Sequence, residues 1–484
     1  MRQEPHRFAG ESMTLSEHAS EAPLVHSVLG NGCSAPTSGG KSPVRDVAHF
    51  LRTLFRLLDE SEIRYCVLHS WQGLPEGLAT DLDIAIHPKD KTAIPSILEA
   101  LRKFGYAPYH WNNYIRKGHS FYFFWTTGWT PNTVAVDVIF EHRRAGMILE
   151  SGEELVSGRV RQGDFWVAAP EVECAYLLAK KGAKGHASRA QSLRLKQLVE
   201  GLGREKAEGI AGKLFGGNLK TRIVEACASG SIDKDLGALK PMSWHGPRSV
   251  GSFRKIRYWL GEIRRAVWRA DNPTGVLLAV MGPDGVGKST VLDGLAREFI
   301  SPLRRRHLFH WRPQLLGRRK DNRPVTDPHG QAPRAPLASM AYLSAFFVDC
   351  WAGYLFVVRT RVVRSGFVQF DRYFHDVLVD PRRYRYGGPA WFAALLCRLL
   401  PEPDLVIFLD ANEDLIRTRK TELTRAEIQR QRIAYREMRF KRARQVYVTT
   451  DAGIEPALLA SATAVTEFMK QRFNKRIRKW MRVA

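Results

Sequence analysis

Gly282, Gly287, Lys288 and Ser289 satisfy the pattern Gly-x-x-x-x-Gly-Lys-Ser/Thr within the run GPDGVGKST. Glycines at that spacing let backbone N–H groups close on an anion at a helix N-terminus, where unpaired donors and the helix dipole favour negative charge. Lys288 would then reach the terminal phosphates of a nucleotide and the Ser289 hydroxyl a Mg²⁺ ion, with Gly285 and Thr290 completing the cradle. The pattern arises by accident in about 2% of chains of this length. Its flanks also fit. Val276 to Met281 is an apolar, β-branched run, and Val291, Leu292, Leu295 and Phe299 recur with helical period, so strand, loop and helix are expected in that order.

Further along, FVQF leads into Asp371-Arg372-Tyr373, an acid and a base at the carboxyl end of a short strand. PDLVIFLDA (403–411) reads as another buried strand, a helix is expected from about Glu413, and Thr424 to Glu427 has the spacing of a capping box. Arg417, Arg419, Lys420 and Arg425 between these helices suit a lid over phosphates, and Val446 to Thr450 closes the series as a last strand. Strands alternating with helices predict a parallel α/β sheet. Taken in order, these motifs from Gly275 to about Phe473 resemble the thymidylate kinase superfamily of nucleoside-monophosphate kinases.

That resemblance implies a P-loop kinase fold transferring the γ-phosphoryl of ATP with Mg²⁺. It implies that Gly282, Gly285, Gly287, Lys288, Ser289 and Thr290 hold the nucleotide and that Ser289 and Asp371 organise the metal. Arg372 would hold the acceptor, Arg419 would belong to the lid, and Asp284 would orient the acceptor hydroxyl or a lid arginine. Cys350 stands twenty-one residues before Asp371, where thymidylate kinases typically carry an arginine on the acceptor. The expected acceptor is therefore a small phosphorylated molecule other than dTMP, and Arg382, Arg383 and Arg385 beside Asp376 and Asp380 are candidates for recognising it.

A second acidic constellation lies nearer the N-terminus. Asp81 and Asp83, two apart on one expected strand, point to one face, and Asp137 on a later strand could complete a Mg²⁺ site with them. With Leu68-His69-Ser70 upstream, the segment resembles the nucleotidyltransferase superfamily, although His69 replaces the usual glycine. The resemblance implies an α+β domain in which Asp81, Asp83 and Asp137 bind metal. Lys180, Lys181 and Lys184 end an expected helix from Pro170, and a solvated helix end is the simpler account of them.

The 484 residues exceed one typical core. A disordered tail (1–43), a nucleotidyltransferase-like domain (44–190), a helical extension (191–240), a linker with a basic amphipathic helix (241–274), the kinase-like domain (275–473) and a basic tail (474–484) account for the length. A net charge of +25 suits polyanionic partners; no aromatic-interleaved module argues for nucleic acid. Six cysteines lie far apart without Cys-x-x-Cys, which argues against a zinc site and a disulfide framework. No apolar run follows a basic start, so the cytoplasm is expected, with peripheral contact at the inner membrane face and a homodimer both admitted. Leu337 to Val358 carries Asp349 as its only charge and is expected as a buried core helix. The apolar stripe of Ser252 to Ala270 is expected to dock on the kinase-like domain as a strut. The leading function is an ATP- and Mg²⁺-dependent phosphotransferase; the alternatives are nucleotidyl transfer at the Asp triad and a non-catalytic nucleotide-binding adaptor.

Overall fold

The computed structural model describes residues 46–483 apart from 79, 116–117, 128–129, 145–146, 234, 237–251, 312, 314–331 and 420–423. The expected N-terminal tail, the linker before Ser252 and part of the lid lie outside the described residues. The chain forms two compact units: residues 1–88 with 141–250, and residues 89–140 with 251–484.

The first unit begins with the helix Val47–Glu60, started by the Asp46 side chain accepting from the His49 amide at 2.8 Å. Its stripe of Phe50, Leu51, Leu54, Phe55 and Leu58 is buried. Strand β1 (Tyr65–Val67) pairs antiparallel with β2 (Leu82–Ile86). The hairpin of β8 (Val160–Gln162) and β9 (Phe165–Val167) joins β1 on its other side, with β9 parallel to β1. A small ribbon of β6 (His142–Arg144) and β7 (Met147–Glu150) precedes it. The helix Pro170–Lys184 has the expected bounds and ends at Gly185 in the left-handed conformation. It shares a core with the helices Arg189–Leu202, Arg204–Phe215 and Lys220–Ala228, through Cys174, Leu177, Leu178, Leu198, Phe215 and Ile223. The helical extension is thus part of the first unit's core.

In the second unit, β3 (Ala107–Ile115), β4 (Gly118–Thr127) and β5 (Thr130–Ile139) make an antiparallel meander. Five parallel strands make the other sheet: β10 (Val276–Met281), β11 (Arg305–His310), β12 (Gly366–Asp371), β13 (Leu405–Asp410) and β14 (Arg444–Thr449), in the order β11-β12-β10-β13-β14. Side chains alternate across it. Val276, Leu278 and Val280 pack with Leu295 and Val465 on one face, and Leu277, Ala279 and Met281 with Phe370 and Tyr435 on the other. Burial on both faces is why β10 and β13 read as apolar runs. This is a mixed α/β fold consistent with a P-loop kinase.

Residues 89–140 group with the C-terminal part: Tyr109, Tyr122 and Ala135 join the core formed by Val276, Leu278 and Leu292. Three expectations are corrected. The basic tail is the end of a helix, Ile454–Val483, in which Phe473 and Ile477 are buried and Arg476 donates to the Trp111 carbonyl at 2.8 Å. The apolar helix from Pro336 is not a core helix. It runs on through a π-helical turn at Tyr354–Val358 to Val363, long and apolar enough to cross a membrane by composition, yet only 22% of its most apolar window is buried. Asp349 is buried and Leu337, Tyr342, Val348, Leu355 and Phe356 face outward. The stripe of the Ser252–Asp271 helix is likewise exposed.

Candidate active site

The sheet order makes β10 central, flanked by β12 and β13, and their carboxyl ends open a crevice of the kind that binds ligands in α/β folds. The glycine loop leaves β10 there. Gly282 has φ 147°, and a Cβ on it would lie 2.3 Å from the Leu409 carbonyl oxygen, so β13 admits only glycine at this point. Gly287, at φ 95°, caps the helix Lys288–Glu298, whose first N–H groups lack intrahelical partners. A cavity of about 570 Å³ opens there, lined by Asp284, Gly285, Gly287, Lys288, Ser289, Thr290, His310, Asp371, Arg372, Arg383, Arg419 and Ile454. Of the residues expected there, Asp284, Gly285, Gly287, Lys288, Ser289, Thr290, Asp371, Arg372, Arg383 and Arg419 line this cavity, whereas Gly282, Asp376, Asp380, Arg382, Arg385, Arg417 and Arg425 are not among its lining residues.

Charges within it are tightly arranged. Lys288 is buried and its ammonium donates to the carbonyls of Gly282 at 3.0 Å and Pro283 at 2.7 Å, with Asp284 at 3.4 Å. Burial first, and the nearby Arg372 second, push its pKa down to about 8. Asp284 accepts from Arg372 and from Arg383. Burial alone would raise its pKa, but Lys288, Arg372 and Arg383 hold it well below the ordinary carboxylate range. The Arg372 backbone is left-handed at φ 70°, unusual for a side chain of this size. Its guanidinium also donates to Asp376 at 2.7 Å, and Asp376 is further held by the hydroxyls of Tyr384, at 2.7 Å, and Tyr435. Burial opposes that charge, yet Asp376, Tyr435 and Asp284 raise the Arg372 pKa well above normal.

Asp371 ends β12. One of its oxygens lies 3.1 Å from His310 Nδ1; the other, Oδ1, is buried and has no hydrogen-bond partner among the described residues. Burial would raise its pKa, and the bond from His310 together with Lys288 brings it below normal. An unpaired carboxylate oxygen and the Ser289 hydroxyl in one cavity are hard oxygen donors, so these residues fit a Mg²⁺ ion. Arg419 donates to the Gly285 carbonyl at 3.3 Å from the opposite rim.

His310 and Trp311 were missed by sequence reasoning because β11, RRHLFH, has neither strict alternation nor an uninterrupted apolar run. Trp311 stacks on Tyr384 with ring centroids 4.2 Å apart and meets Phe346 edge-on at 5.0 Å. Asp380 and Arg385 are also built into the fold: Asp380 accepts from the Arg383 amide at 3.2 Å, and Arg385 donates to the Ala332 carbonyl at 3.1 Å. Asp404 and Asp410 serve the scaffold, accepting from the Leu277 amide at 2.9 Å and from Arg432 at 2.6 Å.

Asp81 is exposed just before β2, Asp83 is buried within it, and Asp137 lies on β5 in the second unit. Asp83 is held by Lys180 at 2.7 Å, His69 at 3.1 Å and the Tyr176 hydroxyl at 3.2 Å. Lys180 is therefore a buried-pair partner and not a solvated helix end. The pair lowers the Asp83 pKa below normal against the effect of burial. His69 also shares a hydrogen bond with Ser70 at 2.8 Å. Among the described residues no group of three or more His, Cys, Asp or Glu is placed to hold a metal ion.

No protein-family model matches the chain, and neither does any curated protein. Solved structures similar to it include thymidylate kinase from Candida albicans, at 18% identity and a TM-score of 0.31, covering 41% of this chain and 93% of that one. Another is thymidylate kinase from Ehrlichia chaffeensis, at 14% identity and a TM-score of 0.26, covering 39% of this chain and 96% of that one.

Proposed function

We propose that the second unit is an ATP- and Mg²⁺-dependent phosphotransferase acting on a small acceptor that already carries phosphate, such as a nucleoside monophosphate. One observation carries the reading: the Lys288 loop at a helix N-terminus, the unpaired oxygen of Asp371 and the side chains of Arg372, Arg383 and Arg419 share one cavity. Two sources of positive charge on either side of one carboxylate suit two phosphate groups meeting near a metal.

In this reading the loop amides and Lys288 bind the donor phosphates, the ammonium leaving its two carbonyl acceptors to do so. Ser289 and Asp371 hold Mg²⁺, which when bound neutralises charge on bridging phosphate oxygens. Arg372 has both terminal nitrogens on carboxylates, whereas Arg383 uses Nη1 alone on Asp284, so Arg383 is the better placed to grip the acceptor and Arg372 acts as its support. Asp284 thus orients two arginines on the acceptor side. Catalysis comes from positioning and electrostatics, with no covalent intermediate on the protein.

The test is ADP formation from MgATP across a panel of nucleoside monophosphates and sugar phosphates. Full-length protein is expected to release ADP with at least one acceptor, with dTMP below the best. Lys288→Ala is expected to lower kcat by about a hundredfold to a thousandfold. ADP release unaffected by Lys288→Ala would sink the proposal.

A further inference from the structure

The helix Ser252–Asp271 presents an apolar stripe that is exposed to solvent. Ile256, Trp259, Leu260, Ile263 and Val267 are each between 57 and 64% exposed. At about 100° per residue they fall within one arc of the helix surface. The opposite side is the one that holds the helix in place. Arg265 donates to the Asn113 carbonyl at 3.2 Å, Arg269 to the Val363 carbonyl at 2.7 Å and to Ser365 at 3.1 Å, and the Trp268 ring lies 5.7 Å from that of Trp111. Those anchors fix which way the stripe faces. An apolar face pointing into water has no role within the fold and marks an interaction surface.

Charge decides among its occupants. The helix contains Arg254, Lys255, Arg257, Arg264, Arg265 and Arg269 against Glu262 and Asp271. Glu262 is itself bound to Arg265 at 2.5 Å, and Arg264 beside the stripe is exposed. A second copy of this helix would bring like charge against like charge, in a chain already at +25. An anionic lipid surface meets both requirements at once, taking the apolar stripe below its headgroups and the basic residues among them. We propose that the helix Ser252–Asp271 docks the protein in plane on an anionic bilayer surface through Ile256, Leu260, Ile263 and Val267.

Co-sedimentation of the full chain with vesicles tests this. The protein is expected to bind phosphatidylcholine vesicles containing roughly one-quarter phosphatidylserine, to bind pure phosphatidylcholine far less, and to lose binding in high salt. Ile263→Glu with Val267→Glu is expected to lower the partition coefficient about tenfold or more, with an unchanged melting temperature because both side chains face water. Leu260→Ser with Val267→Ser is the milder variant should the glutamates perturb the helix. Leu355→Ser with Phe356→Ser, on the other exposed apolar face, is expected to leave vesicle binding unchanged. The proposal is overturned if the full chain ignores anionic vesicles or if the stripe variants bind them as the parent does. It is equally overturned if the Leu355 and Phe356 variant loses binding while the stripe variants keep it. A dimer in sedimentation velocity that the stripe variants dissociate, without vesicle binding, would assign the face to a second copy instead.

Discussion

At the level of single residues, the acceptor side of the cavity is a chain of buried charges whose members depend on one another. Asp376 is fully buried, and its charge is balanced by Arg372 with help from the hydroxyls of Tyr384 and Tyr435. Removing the guanidinium would leave a carboxylate uncompensated in the interior, a change that typically costs about 3 to 5 kcal/mol. Arg372→Ala is therefore expected to lower stability by roughly that amount as well as activity, seen in urea unfolding. Arg372→Lys keeps a charge but cannot fork between Asp284 and Asp376, so most of the stability should return while activity does not. Arg383 has a different expectation. It is partly exposed and donates to Asp284 from the rim, so Arg383→Ala should raise the acceptor KM with little change in unfolding. Equal loss of stability in both alanine variants would show that Arg383 is scaffold.

Among the elements, the segment after β12 ties the site to the far face of the sheet and sets a pH limit. His375 follows Asp371-Arg372-Tyr373-Phe374, is buried, and lies against Phe440 with ring centroids 4.3 Å apart. Burial pushes its pKa down to about 4, the charge of Glu402 offsetting this only in part. Its folded pKa is below the unfolded value of about 6.5, so its contribution to stability is present above pH 6.5 and is lost as pH falls toward 4. Going from neutrality to pH 5 should cost about 2 kcal/mol through this one group. His375→Phe keeps the ring packing and removes the titration. Urea midpoints at pH 7 and pH 5 should therefore converge in the variant and separate in the parent; the same pH dependence in both would exclude His375 as the source. The elements of the site were largely legible in the sequence. β10, β12, β13 and β14 lie within a few residues of expectation, the first three because strands buried on both faces are rich in apolar residues and the half-exposed β14 because of its β-branched VYVT. β11 was not, since a largely exposed edge strand with two arginines and two histidines carries little of that signal.

For the molecule as a whole, the division into units is the main surprise. The meander of β3, β4 and β5 precedes the glycine loop by well over a hundred residues, yet its Tyr109 rings against Phe299, with centroids 6.4 Å apart, and its Trp111 carbonyl accepts from buried Arg476. A fragment beginning at Gly251 would expose that face and strand Arg476 without its acceptor. It is expected to lose its ADP-forming activity at a lower urea concentration than the full chain, by an amount worth more than about 3 kcal/mol. A fragment as robust as the full chain would mean that 89–140 adds nothing to this core.

The amino-acid sequence by itself determined the phosphate loop, four of the five parallel strands and the acid and base after β12, because each depends on neighbours within a few residues or on burial that composition reveals. It could not decide which charges meet. Asp83, expected to meet a metal, is bound to Lys180, ninety-seven residues away; Asp284, expected to orient either an acceptor hydroxyl or a lid arginine, holds Arg372 and Arg383. Nor could it decide which way an amphipathic face points. The stripe of Ser252–Asp271 and the run from Pro336 to Val363 have the composition of packed helices, and both present apolar side chains to solvent. Periodicity records that a helix has an apolar side; only the anchoring of Arg265, Trp268 and Arg269 on the opposite side determines what that apolar side is left to meet.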